Sequence, residues 1–448
     1  MKSKTFRLAP RRADLEKAIS LHRAGRLDEA RRLYDRIVAA DPRNASAWHF
    51  LGVLQHQSGN SDEAVASITR ALELDPSYAD AYNNLGNVLR ESGLYDSALH
   101  AYEGAVALAP DHADAWNNIG VVRSGRGDHA AAEKAYARAI EINPNHLAAW
   151  QNRGRLAARV SEFDASIAAF RRAIALRPGD SVAYDGLSRT LYRAGRIDDA
   201  IAVYKEWLTV DPGNAVARHM LAACSGAEAP ARASDNFVRG IFDSFAGSFE
   251  RVLDQLGYQA PALIAGFLDR VVPDADAALV IADAGCGTGL CAEFLRPRAQ
   301  RLVGVDLSSG MLARARARKT YDELIESELA SWLAGRSQEF DLIVSADTLC
   351  YFGALDQALN GAAGALRPGG RVVFTVEKAA DEVTDYHLDH TGRYTHAESY
   401  VRQMLSEAGL DSIAVEHVVL RRERGNEVQG LLASGRRPVE IGLPVDGR

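Results

Sequence analysis

Prolines recur every 34 residues through the first half of this 448-residue chain. Aromatic and small residues recur with the same period. A fixed period of this length is typical of stacked helix pairs, each of which buries its apolar face against the next pair. The period therefore predicts an all-α solenoid. The prolines are Pro42, Pro76, Pro110, Pro144, Pro178 and Pro212; the aromatic residues are Trp48, Tyr82, Trp116, Trp150 and Tyr184; the small residues are Ala30, Ala64, Ala98, Ala132, Ser166 and Ala200.

The spacing of these positions resembles the tetratricopeptide repeat. The resemblance implies six repeats followed by a capping helix over residues 215–224, so that the repeat domain spans residues 11–224. In such repeats the small residues let two helices approach closely, and an aromatic residue or isoleucine four positions after each small residue fills the gap between them. These residues are Tyr34, Ile68, Tyr102, Tyr136, Phe170 and Tyr204. The resemblance also implies a protein or peptide partner on the concave face, which the first helix of each pair lines.

Asparagines occupy one recurring position on that predicted face, at Asn84, Asn118 and Asn152, with Asn83 and Asn117 just before two of them. A row of side-chain amides can pair with the backbone of an extended peptide whatever its sequence. The alternative is that these asparagines fit between helices or cap neighbouring turns, since the consensus repeat itself favours Asn there. The sequence leaves both interpretations open.

The second half contains the segment VIADAGCGTGL at residues 280–290. A hydrophobic strand ends at Asp283, and Gly285, Gly287 and Gly289 then form a turn that is predicted to open a helix at Leu290. Glycine suits such a turn because it adopts positive φ and lets a ligand approach the backbone without a Cβ in the way. The N-terminus of a helix suits the carboxylate or phosphate of a cofactor.

A second strand, Leu302 to Val305, ends in Asp306, seventeen residues past Gly289. An acidic side chain at this place can accept the ribose hydroxyls of an adenosine cofactor. The spacing alone fits either a nicotinamide dinucleotide or S-adenosylmethionine. A glycine turn that only packs a helix against a strand is the structural alternative.

The segment DAGCGTG, followed by VDLSSGMLARARAR, resembles the cofactor motifs of class I methyltransferases. The resemblance implies S-adenosylmethionine as the cofactor. In that family the acid before the glycines organises the loop and contacts the methionine end, the acid after the second strand holds the ribose, and the third-strand acid, commonly Asp but here Glu328, contacts the adenine. The implied cofactor-binding residues are Asp283, Gly285, Cys286, Gly287, Gly289, Asp306, Leu307, Met311, Glu328, Leu329 and Asp347.

Longer segments are similar to a narrower family, the predicted bacterial methyltransferases that carry tetratricopeptide repeats. They are FDSFAGSFERVLDQLGYQAP, ADTLCYFGALDQAL, LRPGGRVVFTVE and GRYTHAESYVRQMLSEAGL. The similarity spans nearly all of residues 237–436 and implies the reaction but no acceptor. In related enzymes, aromatic helices such as the one carrying Phe242, Phe245 and Phe249 close over the cofactor.

Further strands alternate with helices, which predicts a parallel sheet with right-handed crossovers. We expect an α/β Rossmann-like methyltransferase domain over residues 237–436, with a seven-stranded sheet in which a terminal hairpin around Arg424-Gly425-Asn426 supplies one antiparallel strand. Residues 225–236 are predicted to be a linker and residues 437–448 a C-terminal tail. The predicted strands after the second are 324–326, 340–347, 371–377, 413–420 and 428–434.

The acceptor is expected at the carboxyl ends of the fourth and fifth strands. Residues 378–396 are predicted to form a loop over the active site. Tyr351, Tyr394 and His396 are the candidate catalytic residues, with a histidine acting as a general base toward a hydroxyl or simply capping a helix. The irregular spacing of the histidines and aspartates in this segment disfavours a metal site, so no metal is predicted.

The composition of the chain argues against some classes of binding partner. A net charge of −7 and a pI near 6.0 argue against a nucleic-acid binder. The four cysteines show neither a disulfide framework nor zinc-ribbon spacing, which indicates the reducing cytoplasm. There is no signal peptide or membrane-length apolar run, so no membrane association is expected.

Three functions remain open from the sequence. The first is an active methyltransferase whose repeats recruit a protein that is methylated or carries the substrate. The second is a small-molecule O- or carboxyl-methyltransferase whose repeats only mediate assembly. The third is a non-catalytic scaffold that retains cofactor binding, which the intact glycines and the acid pair Asp283 and Asp306 disfavour.

Overall fold

The computed structural model describes residues 12–226, 229–272, 278–423 and 425–439. Two compact units divide the chain, Met1–Val203 and Tyr204–Arg448. Residues 440–448 of the predicted tail and Arg424 of the predicted hairpin turn lie outside the described residues. No described helix is long and apolar enough to cross a membrane.

The repeats form six consecutive helix pairs, which confirms the predicted solenoid. The last helix of the sixth pair continues from the first unit into the second. The helices are α1 (Arg12–Arg23), α2 (Leu27–Ala40), α3 (Ala45–Gln57), α4 (Ser61–Leu74), α5 (Ala79–Glu91), α6 (Tyr95–Leu108), α7 (Ala113–Gly125), α8 (His129–Ile142), α9 (Leu147–Arg159), α10 (Phe163–Leu176), α11 (Ser181–Arg193) and α12 (Ile197–Val210).

Close helix contact explains two glycines, 34 residues apart, on the first helices of successive pairs. A Cβ added at Gly86 of α5 would lie 2.5 Å from the Tyr102 ring of α6, and one at Gly120 of α7 would lie 2.5 Å from the Tyr136 ring of α8. Both tyrosines are almost fully buried. The missing side chain on the first helix therefore makes room for the aromatic side chain of the second.

The recurring asparagines bridge successive repeats. The Asn118 amide nitrogen donates to Asn83 Oδ1 at 2.9 Å, and the Asn152 amide nitrogen donates to Asn117 Oδ1 at 2.9 Å. In the preceding repeat, the Asn84 amide nitrogen lies 2.7 Å from His49 Nε2. These contacts correspond to the interpretation that the asparagines fit between helices, and they occupy donors that a peptide would otherwise use.

We expect Asn118→Ala to lower the free energy of unfolding by about 1–3 kcal/mol, because it leaves the buried Asn83 carbonyl oxygen without its donor. Urea denaturation followed by circular dichroism measures the change. Asn60→Ala is the matched control, since Asn60 precedes α4 without making a side-chain capping bond. Equal stability of the two variants would show that the asparagine bridges contribute nothing to folding.

The C-terminal unit is built on a mixed sheet. Its strands are β1 (Leu279–Ala284), β2 (Ala299–Asp306), β3 (Glu323–Glu326), β4 (Phe340–Ser345), β5 (Leu366–Lys378), β6 (Tyr386–Leu388), β7 (Tyr394–His396), β8 (Asp411–Glu423) and β9 (Asn426–Arg436). The parallel strands run in the order β3-β2-β1-β4-β5, β9 pairs antiparallel with β5, and β8 pairs with β9. These seven strands, with one antiparallel member, confirm the predicted fold class.

Helices cover the sheet or lead into it. They are α13 (Ala215–Ser225), α14 (Asp235–Phe245), α15 (Phe249–Gln255), α16 (Ala260–Val271), α17 (Ala292–Leu295), α18 (Ser309–Arg318), α19 (Leu329–Ala334), α20 (Asp356–Ala365) and α21 (Glu398–Glu407). Buried side chains of α16, such as Ile264 and Leu268, pack against apolar residues of β1, β4 and β5. The central strands are therefore buried, as an α/β sheet requires.

The helix predicted to open at Leu290 does not form there. Turns continue to Cys291, and α17 has only four residues before a 3₁₀ turn at Arg296–Arg298. Gly287 and Gly289 have positive φ, and Pro297 cannot donate a helical hydrogen bond. The prediction of a helix that opens at Leu290 is therefore wrong, and a helix as short as α17 has little dipole.

The segment 378–396 is not the irregular loop that we predicted. It contains the β6–β7 hairpin, and β7 pairs in parallel with Glu377 and Lys378 at the end of β5. The hairpin satisfies backbone groups that a loop would leave to water. It therefore extends the sheet.

Residues within and before the predicted linker contact other parts of the C-terminal unit. The backbone nitrogens of Gly353 and Ala354 both donate to the Ala231 carbonyl at 2.8 Å. In α13, His219 Nε2 lies 2.9 Å from the Gly392 carbonyl, in the turn between β6 and β7. The domain boundaries drawn from the sequence remain predictions.

Candidate active site

A cavity opens at the carboxyl ends of β1, β2 and β4. It measures about 910 Å³ including its mouth, and residues from both the glycine turn and the following strands line it. Eight of the predicted cofactor-binding residues lie on its wall: Gly285, Gly287, Asp306, Leu307, Met311, Glu328, Leu329 and Asp347. The remaining three, Asp283, Cys286 and Gly289, lie outside the described lining, in the same turn or just before it.

The glycine turn holds its backbone close to neighbouring strands. Gly285 has a φ of +81°, and a Cβ there would lie 2.1 Å from Thr348 Oγ1. Its nitrogen donates to the Val305 carbonyl at 2.8 Å. Glycine is required at this position both for its backbone conformation and for lack of space.

Asp283 is buried behind this turn with only 1% of its surface exposed. Its Oδ2 accepts a hydrogen bond from the Tyr321 hydroxyl at 2.6 Å, whereas Oδ1 has no hydrogen-bond partner among the described residues. Burial raises the pKa of Asp283 to about 7, although the Tyr321 bond opposes the shift. Tyr321 was not identified from the sequence, because nothing in its spacing relates it to Asp283.

The raised pKa predicts a pH dependence. The folded protein holds the Asp283 proton up to about pH 7, whereas the unfolded chain releases it near pH 4. The contribution of Asp283 to stability therefore falls as pH rises from about 4 to about 7, by at most roughly 4 kcal/mol. Urea denaturation at pH 5 and pH 8 measures the change, and Asp283→Asn is expected to remove it. The same pH slope in both proteins would contradict the assignment.

Asp306 joins the end of β2 to the glycine turn. Its Oδ2 accepts from the Gly287 nitrogen at 2.8 Å, and its Oδ1 accepts from the Ser308 nitrogen at 2.9 Å. Burial raises the pKa of Asp306, while these backbone donors oppose the shift. The carboxylate lines the cavity, so it supports the turn and also faces a ligand.

Glu328 occupies the N-cap of α19. Its two carboxylate oxygens accept from the nitrogens of Ala330 and Ser331 at 3.0 and 2.8 Å. Burial opposes ionisation, but the hydrogen bonds from Ser331 and Ala330 outweigh it and lower the pKa of Glu328. The longer Glu side chain thus folds back on its own helix while lining the cavity beside Leu329.

Aromatic residues form the opposite wall. Phe242 of α14 contacts Tyr351 with ring centroids 5.5 Å apart, and Phe245 contacts Phe249 at 5.6 Å. Phe242 and Phe249 line the cavity. Asp243 Oδ1 fixes α14 by accepting bonds from Ser308 Oγ at 2.5 Å and the Gly310 nitrogen at 3.1 Å.

The three candidate catalytic residues occupy different surroundings. Tyr351 lines the cavity, and burial raises its pKa to about 12. Tyr394 is fully buried and donates to the Pro230 carbonyl at 2.6 Å. His396 is also fully buried, with Nε2 3.1 Å from the Gly353 carbonyl. Tyr394 and His396 lie outside the described lining of the cavity, and burial lowers the pKa of His396 to about 4.

Asp347 follows β4 with a φ of +54°. Its Oδ1 is buried and has no hydrogen-bond partner among the described residues, and its Oδ2 lies 3.5 Å from Arg421 Nη1. Arg393, which also lines this end of the cavity, was not identified as a site residue from the sequence. No group of three or more His, Cys, Asp or Glu side chains in the described ranges could hold a metal ion.

Family models match both halves of the chain. Residues 15–79 and 152–215 match one tetratricopeptide repeat model, and residues 77–145 match another. Residues 282–374 match a methyltransferase domain model. The chain combines tetratricopeptide repeats with a methyltransferase domain. The methyltransferase domain belongs to a group of proteins that use S-adenosylmethionine.

Several characterised proteins are similar to the methyltransferase domain. Malonyl-[acyl-carrier protein] O-methyltransferase of Enterobacter lignolyticus is 30% identical over 132 residues, which are 30% of this chain and 51% of the relative. Trans-aconitate 2-methyltransferase of Paracidovorax citrulli is 32% identical over 96 residues, 21% of this chain and 37% of the relative. The chain thus spans about half or less of the length of these relatives.

The repeats are also similar to solved protein structures. The crystal structure of MamA is 28% identical, with a TM-score of 0.33, and the match covers 36% of this chain and 93% of that one.

The site of the methyltransferase domain fits S-adenosylmethionine. The Asp283 oxygen without a partner suits a cationic group such as an ammonium. The turn leaves open space at Gly287, which lines the cavity, because a Cβ added there would have a single neighbouring atom, of Phe249, at 4.0 Å. Asp306 places a carboxylate on the cavity wall, where ribose hydroxyls can donate to it.

Proposed function

We propose that this protein transfers the methyl group of S-adenosylmethionine to an acceptor bound beside Tyr351, and that the repeats recruit a protein that is the acceptor or carries it. One observation supports the proposal most. The glycine turn with Asp306 and the aromatic wall with Tyr351 line the same cavity, so a cofactor and an acceptor can meet there.

We assign different residues of the chain to different parts of the cofactor. When bound, S-adenosylmethionine supplies a methyl group on a positively charged sulfur, already activated for transfer. In our proposal Asp283 releases its proton and pairs with the ammonium of the methionine end when the cofactor binds, Asp306 accepts from the ribose hydroxyls, and Leu329 packs against the adenine. Phe242 and Phe249 exclude water from the reacting groups, because transfer depends on alignment and on keeping water out.

The names of two relatives guide the choice of acceptor. Malonyl-[acyl-carrier protein] O-methyltransferase and trans-aconitate 2-methyltransferase are each named for an organic acid. The first is named for an acid attached to a protein, which suits an enzyme with repeats that recruit a carrier. We place the reaction in the cytoplasm, where the four free cysteines would stay reduced.

A second function has one observation in its favour. The recurring asparagines bond to one another between repeats, which leaves fewer amides for a peptide and favours repeats that only mediate assembly. A pull-down with residues 1–224, followed by labelled-methyl transfer to the captured material, distinguishes the two. Recruitment predicts a captured protein that accepts label directly or through its cargo, whereas assembly predicts only copies of this chain.

We expect S-adenosylmethionine and its demethylated product to stabilise the full chain. Ligand at 100 times its dissociation constant adds about 2.7 kcal/mol to the free energy of unfolding. A thermal-shift measurement with either compound tests this, with a nicotinamide dinucleotide as the control. A shift with the dinucleotide alone would overturn the cofactor assignment and the proposed function with it.

A further inference from the structure

Arg393 is a cationic residue in the lining of the cavity. It follows the β6–β7 turn, lines the cavity beside Tyr351 and Asp347, and is about a quarter exposed. Burial raises the pKa of Tyr351, and the nearby guanidinium of Arg393 opposes that shift. A guanidinium and a phenol hydroxyl are both donors, so together they present hydrogens to whatever occupies the cavity.

Arg393 shares its two glutamate partners with a second arginine. Arg421 of β8 is only 2% exposed and makes the short contacts, with Nη2 2.5 Å from Glu377 Oε1 and Nε 2.7 Å from Glu423 Oε1. Arg393 reaches the same two oxygens through Nη1, at the longer distances of 3.2 and 3.4 Å. Arg421 makes the shorter contacts to both glutamates, so the side of Arg393 toward the cavity can pair with a ligand.

Two side chains of opposite charge line the cavity. Asp347 has a buried carboxylate oxygen without a partner in the described structure, which suits a cation such as the cofactor's sulfonium. Arg393 lines the same cavity and suits an anion. A negatively charged acceptor paired with Arg393 would therefore share the cavity with the methyl donor.

Neither Tyr351 nor His396 is suited to act as a general base toward the acceptor. Burial holds the pKa of Tyr351 at about 12, so its hydroxyl remains protonated at neutral pH. His396, the histidine we predicted to serve, lies outside the described lining. An acceptor that is already anionic needs no proton removed before transfer.

We propose that Arg393 selects a carboxylate as the methyl acceptor. The inference rests on the proposed function and names its substrate class. One carboxylate oxygen forms a bond to the methyl carbon as the carbon–sulfur bond breaks, and that bond's electron pair neutralises the sulfonium. No proton moves. The products are a methyl ester and the demethylated cofactor. Arg393 and Tyr351 hold the second oxygen and orient the first.

The chemistry of the product gives a direct test. The full chain is incubated with S-adenosylmethionine labelled in its methyl group and a panel of acceptors: saturated dicarboxylates of graded length, trans-aconitate, malonyl-pantetheine, and their neutral amides, alcohols and amines. Mild base releases a methyl ester as volatile labelled methanol, whereas methyl ethers, methylamines and methyl phosphates keep the label. We expect base-labile label with carboxylates only.

Variants then test the role of Arg393. Arg393→Gln is expected to lower kcat/KM for the best carboxylate about 100-fold, mainly through KM, because it removes charge-assisted bonds to the acceptor. Arg393→Lys keeps the charge and is expected to retain more activity. Arg422→Gln removes an exposed arginine on the same strand as Arg421 and is expected to match the unaltered protein.

Calorimetry of S-adenosylmethionine binding distinguishes a failure of the proposed function from a failure of the carboxylate inference. A chain that does not bind the cofactor contradicts the proposed function itself. A chain that binds it but labels only alcohols or amines, or labels nothing in the panel, contradicts the carboxylate inference alone. Unchanged KM in Arg393→Gln, with carboxylates still methylated, would remove Arg393 from acceptor selection.

Discussion

Asp306→Ala is expected to weaken S-adenosylmethionine binding by at least about 100-fold. In our proposal the change removes two charge-assisted hydrogen bonds to the ribose, each worth roughly 1.5–3 kcal/mol. It also removes the acceptor for the Gly287 and Ser308 nitrogens, at 2.8 and 2.9 Å, so the glycine turn loses its anchor to β2. Isothermal calorimetry on the full chain measures the loss.

Glu326→Gln serves as the matched control for this change. Glu326 ends the neighbouring strand β3 and is exposed, so its charge lies outside the cavity lining. We expect its cofactor affinity to stay within about twofold of the unaltered chain, since exposed substitutions away from a site have small effects. Equal affinity in Asp306→Ala and Glu326→Gln would place the ribose elsewhere.

The features that the sequence could predict are those that repeat or lie close together along the chain. The 34-residue period determines which helix faces are apolar, and Gly86 and Tyr102 show the packing that the period requires. The glycine turn and Asp306 are separated by one strand and a short connection, so their meeting follows from adjacent parallel strands. Short-range sequence patterns were sufficient to predict both the repeat packing and the meeting of the glycine turn with Asp306.

Other predictions failed because a tertiary contact decided the outcome. The expected loop at residues 378–396 pairs with the end of β5 instead, and this pairing turns His396 toward the Gly353 carbonyl and away from the cavity. Composition describes this segment as polar, but no short-range pattern tells which of its polar side chains will be buried. The hairpin positions Arg393 as a consequence.

The cluster of Glu377, Arg393 and Arg421 shows most clearly what could not be predicted from the sequence. Glu377, Arg393 and Arg421 come from β5, the end of the β6–β7 turn and β8, which are far apart in sequence. In the sequence, Arg421 stands in an ordinary Arg-Arg pair that looks like a solvated surface. In the structure Arg421 is buried, and its guanidinium pairs with the carboxylates of Glu377 and Glu423. Without those contacts Arg393 could not be recognised as a site residue.

Gly285→Ala is expected to reduce cofactor affinity by about 100-fold or more and to destabilise the C-terminal unit by roughly 2–5 kcal/mol. The alanine would have to hold a φ of +81°, which costs about 1–2 kcal/mol. Its Cβ would lie 2.1 Å from Thr348 Oγ1 and 2.7 Å from Thr348 Cβ, and relieving such overpacking costs about 1–3 kcal/mol. Thermal denaturation and calorimetry measure the two effects.

A second substitution separates the two causes. Thr348→Gly removes the three Thr348 atoms nearest the new Cβ, so Gly285→Ala combined with Thr348→Gly is expected to recover the packing part of the loss relative to Thr348→Gly alone. The backbone strain should persist in the double variant. Gly266→Ala, in α16 with no heavy atom within 4 Å of the added Cβ, should be neutral or slightly stabilising. If Gly285→Ala behaves like Gly266→Ala, the turn tolerates a side chain and does not hold its backbone against a ligand.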